Sequence, residues 1–166
     1  GNTESEAALA SEFLQSWQRE REYLASQGHT GPLPPTAFLA ISGGGDKGAF
    51  GAGLLNGWTA AGTRPQFKLV TGISTGALIA PFAFLGPAYD TNLKEFYTTT
   101  SSKDVLRARN ILAGLTSDAM ADTQPLLRLL GKHVDRTFLD AIAAEYTKGR
   151  ELWIATTGLD NLQRYI

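Results

Sequence analysis

The spacing of apolar residues along the chain predicts a helix first. Over residues 4–27, Leu9, Phe13, Trp17 and Leu24 fall near one face while Glu and Arg fill the others, the period of an amphipathic helix. Thr3 or Ser5 suits its start and Gly28 its end. Residues 28–36 hold three prolines and two glycines and read as a linker. Short apolar runs then alternate with helical ones: a strand over 37–42, a helix over 48–61, a strand over 67–71 and a helix over 75–85. That alternation predicts an α/β fold with a parallel sheet, and a right-handed crossover brings the two strands close. Pro81 falls inside the last of these helices and lacks the N–H for the bond back to Ala77, so a kink or a shortened helix is expected. Further helices are expected near residues 91–97, 125–133 and 137–148, and the terminal Arg164-Tyr165-Ile166 looks like the interior of a strand. Between them, residues 98–122 are polar and less periodic. They read either as a lid or substrate-entry segment or as a solvated connection with one short helix around 105–112.

Composition narrows the classes. The chain has 166 residues, 43% hydrophobic, with fifteen basic and sixteen acidic side chains and a net charge of -1, which suits one domain with its own core. The basic residues are scattered, so no phosphate-tracking stripe and no nucleic-acid partner is expected. Without cysteine, disulfides, thiol nucleophiles and cysteine-zinc sites are excluded, and His29 and His133 lack metal spacing. No metal or organic cofactor is expected. The longest apolar stretch, residues 77–85, is far short of the roughly 20 residues that span a bilayer. For the first helix, packing on the flank of the core competes with a membrane-surface or partner-binding role, and its mixed charges favour the former.

The chemistry concentrates in two glycine-framed turns. Gly43-Gly44-Gly45-Asp46-Lys47-Gly48 follows the first core strand, and Gly72-Ile73-Ser74-Thr75-Gly76 follows the second. Consecutive glycines reach backbone angles closed to other residues and can aim successive N–H groups at one point. A helix starting at about Lys47 to Gly48 adds its positive end to that field. Gly43, Gly44 and Gly45 are therefore the candidate oxyanion hole. The second turn fits G-x-S-x-G, a sharp strand-to-helix turn that exposes a nucleophilic serine. Ser74 is the candidate nucleophile, with Gly72 and Gly76 framing it. Both turns stand at carboxyl ends of strands, where parallel sheets carry their sites. Asp46 reads as a capping carboxylate, and Lys47 as support for the helix start or a draw for anionic head groups. A lysine at its ordinary pKa of about 10.4 stays protonated and is no base.

At these residues the chain resembles the patatin-like phospholipase family, whose pattern is a strand, G-G-G-x-K/R-G, a helix, a second strand and G-x-S-x-G. The resemblance runs from about Ala37 to the end of the chain and is sharpest between Phe38 and Ala80; residues 151–160 look like the family's next core strand. It implies a three-layer α/β/α domain with a mostly parallel sheet over residues 37–166, preceded by the helix of 1–27 and the linker of 28–36. It also implies an acyl-ester lipid substrate, transient contact with a membrane surface, and hydrolysis by Ser74. The family's general base is an aspartate in a D-G-G or D-G-A motif, and no aspartate here is followed by glycine. The chain starts at Gly1 and stops within an apparent strand, so it is expected to be the N-terminal part of a longer protein whose aspartate lies beyond residue 166, and to be inactive alone.

Other readings stay open. Gly43 to Gly48 also fits the G-x-G-x-x-G of dinucleotide sites, but the second strand ends at Thr71 without the acidic residue that reading needs, and Lys47 precedes Gly48 where a P-loop needs Ser or Thr. An α/β-hydrolase triad can use His133, which follows Ser74 in Gly-Lys-His-Val, a context equally suited to a helix end. A degenerate hydrolase fold acting as a binding module accounts for the missing base.

Overall fold

The structure is a computed structural model, and it describes residues 2–44, 48–73, 75–99, 131, 133–157 and 164–165. In order along the chain these form α1 (Asn2–Ser26), β1 (Ala37–Ile41), α2 (Gly48–Ala60), β2 (Phe67–Ile73), α3 (Thr75–Leu85), a 3-10 turn (Pro87–Tyr89), α4 (Asp90–Thr99), α5 (Arg136–Thr147), β3 (Glu151–Thr157) and β4 (Arg164–Tyr165). β1, β2 and β3 pair in parallel, and β4 adds antiparallel to the end of β3. The fold is the expected α/β one with a mostly parallel sheet.

Strand alternation sends residues to two faces. On one, Leu39 and Ile41 of β1, Val70 of β2 and Leu152 and Ile154 of β3 join Phe82, Phe84, Ile79 and Ala80 of α3, Leu93 of α4 and Phe138 of α5 in the main core. Phe82 lies 5.0 Å from Phe138, ring centre to ring centre. α3 is apolar all round because strands and helices surround it, and eight of its eleven residues are buried. It runs through Pro81 to Leu85, the expected end, so the proline does not shorten it.

The second face is covered by α1. Phe13 meets Phe38 of β1 and Trp153 of β3 edge-on at 5.9 and 6.1 Å. The register of β1 on β2 skips Lys68, since Ala37 pairs with Phe67 and Phe38 with Leu69. This bulge turns the buried Lys68 toward α1. There its ammonium group donates to the carbonyls of Ser16 and Gly149, pairs with Glu20 at 2.7 Å and lies 4.7 Å from the Trp17 ring centre. Gly149, at φ +85°, closes the turn from α5 to β3, and a Cβ there would overlap the backbone of Ser16 and Glu20. Arg19 pairs with Glu12 and with the buried Glu151. These contacts make α1 the outer layer of a three-layer sandwich.

α2 and α4 start and end close to their expected positions. α5 begins at an Asp135 cap whose carboxylate accepts the Phe138 N–H at 2.8 Å. Residues 100–130 lie outside the described residues, and with them most of the expected lid region, the short helix of 105–112 and most of the helix of 125–133; Gly131 and His133 are helical.

Candidate active site

Parallel pairing brings the two glycine turns together. Ile41, the last residue of β1, pairs with Gly72 of β2, so the chain leaves both strands at the same edge of the sheet. The framing glycines are each dictated by close approach. A Cβ on Gly72 would stand 2.5 Å from the Gly76 carbonyl oxygen and 2.7 Å from the Ala80 Cβ, so only glycine lets α3 pack this tightly on β2. A Cβ on Gly76 would overlap the Ile41 carbonyl and come within 2.9 Å of the Ser42 oxygen. Together they seat the first turn of α3 on the ends of both strands.

One hydrogen bond ties the turns to each other. The Gly44 N–H donates to Thr75 Oγ1 at 3.1 Å, and the Thr75 side chain is fully buried. Thr75, which follows Ser74 in the chain, thus ties the first glycine turn to the start of α3. Ser74 itself, and Gly45, Asp46 and Lys47 of the first turn, lie outside the described residues. Ser42, Gly43 and Gly44 are exposed at the carboxyl end of β1.

Gly48 opens α2 and is buried against α4. A Cβ there would be 2.6 Å from the Tyr97 hydroxyl, which is itself buried without a hydrogen-bond partner among the described residues. Burial pushes the Tyr97 phenol up to about 12, so it stays protonated. Tyr97 thus braces the helix start that follows the glycine turn. Neither Thr75 nor Tyr97 was singled out in the sequence. For Thr75 a signal existed, since a hydroxyl at the first helical position after the elbow can accept a local N–H; for Tyr97 there was none, because it comes from a distant helix.

His133 is buried, with its ring edge-on to Phe96 at 5.8 Å. His29 is exposed, its Nε2 2.8 Å from the Pro32 carbonyl. Among the described residues no group of three His, Cys, Asp or Glu side chains is placed to hold a metal ion, and no helix is long and apolar enough to cross a membrane.

Beside the glycine turn, a cavity of about 310 Å³ lies between β1 and α2. A second, more open hollow of about 410 Å³ lies across the sheet, between Ser42, Ile73 and Trp153.

Compared with known families, the chain matches the model described as patatin-like phospholipase over residues 39–160. That span holds both glycine turns and the whole parallel sheet beyond the first two residues of β1. Comparison with curated proteins and with solved structures returned no match.

Proposed function

From the premise that the chain belongs to the patatin-like phospholipase family, a family of lipid acyl hydrolases, we propose that it carries the nucleophile and oxyanion hole of a serine acyl-ester hydrolase. The observation that carries this reading is the pairing of Ile41 with Gly72, locked by the Gly44 to Thr75 hydrogen bond. It brings Gly43 and Gly44 to the end of β2, after which Ser74 follows in the chain, and this supports the reading.

In the reaction, Ser74 Oγ attacks the carbonyl carbon of a fatty acyl ester as its proton passes to an aspartate outside these 166 residues. The carbonyl oxygen becomes an oxyanion held by backbone N–H groups of the Gly43 to Gly45 turn. Because the Gly44 N–H is committed to Thr75 Oγ1, we assign the oxyanion to the N–H groups on either side of it and give Gly44 the task of fixing the turn. Collapse breaks the ester C–O bond, and the leaving alcohol takes the proton from the aspartic acid. Water, deprotonated by the same aspartate, then attacks the acyl-serine and frees the fatty acid. Lys47 and Asp46 support the helix start, and transient contact with a lipid surface delivers the substrate.

Fluorophosphonate labelling with peptide mapping tests the scheme, on this chain and on any longer product of its reading frame. An adduct on Ser74 is expected in a product that carries the aspartate, lost in Ser74→Ala and retained in His133→Ala. Absence of any adduct on that product, when folded, overturns the hydrolase reading in favour of a binding module. Loss of labelling in His133→Ala would instead favour a histidine triad.

A further inference from the structure

We propose that the cavity between β1 and α2 is the acyl-chain site, and that Trp58 at its far end sets the chain length the protein accepts. This rests on the acyl-ester reading above. At one end the lining is polar: Ser42, the backbone of Gly43 and Gly44, and Thr75. From there it follows α2 past Gly51 and Leu54 to Trp58, whose ring packs 5.7 Å from Phe67, the first residue of β2. The cavity therefore starts at the glycine turn and ends at the opposite edge of the sheet. Among the described residues no charged side chain lines it, and from Gly48 to Trp58 its wall is apolar apart from the backbone, which suits a hydrocarbon chain. Its volume of about 310 Å³ is at the lower end of the range for small-molecule sites, about 300–1,000 Å³.

The dimensions agree with one chain. Ten helical residues separate Gly48 from Trp58 and span about 15 Å. An extended twelve-carbon acid, with C–C bonds of about 1.5 Å, is of nearly that length. The floor of the cavity is closed where Gly51 packs on Ile79: a Cβ there would stand 3.1 Å from the Ile79 Cδ1. Glycine is a weak helix former, and a larger side chain at this position has to turn into the cavity. Phe50 and Leu54, 74% and 57% exposed, form an apolar outer lip over which a chain can enter from a lipid surface.

The test uses bromine as a short-range quencher of tryptophan. With its carboxyl group at the glycine turn, 12-bromododecanoate should place bromine against Trp58 and quench it, and 2-bromododecanoate should quench far less. The signal should vanish in Trp58→Phe. Gly51→Leu should weaken binding about tenfold, the equivalent of about two buried methylenes, and Trp58→Ala should shift preference to longer acids. Equal quenching by the two isomers, quenching that survives Trp58→Phe, or quenching that maps to Trp153 in the hollow across the sheet would overturn the assignment. So would no quenching at all in protein whose circular dichroism shows it folded. Because binding needs no turnover, the result is separable from the chemistry. Quenching at Trp58 without a fluorophosphonate adduct on Ser74 keeps the pocket and removes the hydrolase, and an adduct without quenching does the reverse.

Discussion

Thr75 shows how much one side chain can decide at the residue scale. Its buried hydroxyl accepts the Gly44 N–H and fixes the distance between two turns that approach each other only through folding. Thr75→Val keeps the shape and removes the acceptor, freeing the Gly44 N–H, which lies in an exposed turn and can turn to solvent, at a cost of about 1 kcal/mol. Ser74 labelling by fluorophosphonate should slow by about tenfold or more in Thr75→Val, as the proposed oxyanion donors lose their position, and Thr75→Ser should restore most of the rate. Equal rates in all three would mean that the bond is incidental. Gly76→Ala is a harsher change, because its methyl would overlap the Ile41 carbonyl. It should lower the urea midpoint markedly as well as abolish labelling, whereas Thr75→Val should act mainly on labelling.

Among the elements, α1 most changes the picture that local pattern offers. Its apolar stripe predicted packing on a flank, and Phe13 does meet β1 and β3. The hold, however, is polar: Lys68 reaches it from a bulge in β2 and is almost fully buried against Glu20 and two carbonyls. Removing one partner of a buried pair typically costs about 3–5 kcal/mol. Lys68→Met, measured by urea unfolding, should cost about that much. A loss well under 1 kcal/mol would show that α1 contributes little to the fold.

For the whole molecule, charges pin the corner where α5 turns into β3. Arg150, largely buried, donates to the Phe67 and Phe84 carbonyls and pairs with Glu145 at 2.6 Å, and Lys148 joins the same carboxylate. Burial works against the Glu145 carboxylate, but the bonds from Lys148 and Arg150 prevail and hold its pKa below the ordinary 4.5. The sign follows from proton linkage: below 4.5 the unfolded chain binds this proton more readily than the folded one. The stabilisation is therefore present above pH 4.5 and is lost as pH falls through the lowered value. Glu145→Gln should destabilise the protein at pH 7, and the difference in urea midpoint from wild type should shrink toward pH 3. A difference independent of pH would remove the carboxylate from the account.

The order of elements and the two turns were legible in the sequence because they are local: strand and helix periods, glycine runs and G-x-S-x-G depend on neighbours along the chain. The reach of the described elements was nearly right for the same reason, and of the two outcomes expected from Pro81 the shortened helix is not seen, since α3 continues to Leu85. Only tertiary structure decided which N–H the Thr75 hydroxyl takes, that Tyr97 backs Gly48, that a bulge turns Lys68 toward α1, and that a cavity runs from the glycine turn to Trp58. Each depends on groups brought together across strand pairings and helix contacts, whose geometry has no counterpart in sequence spacing.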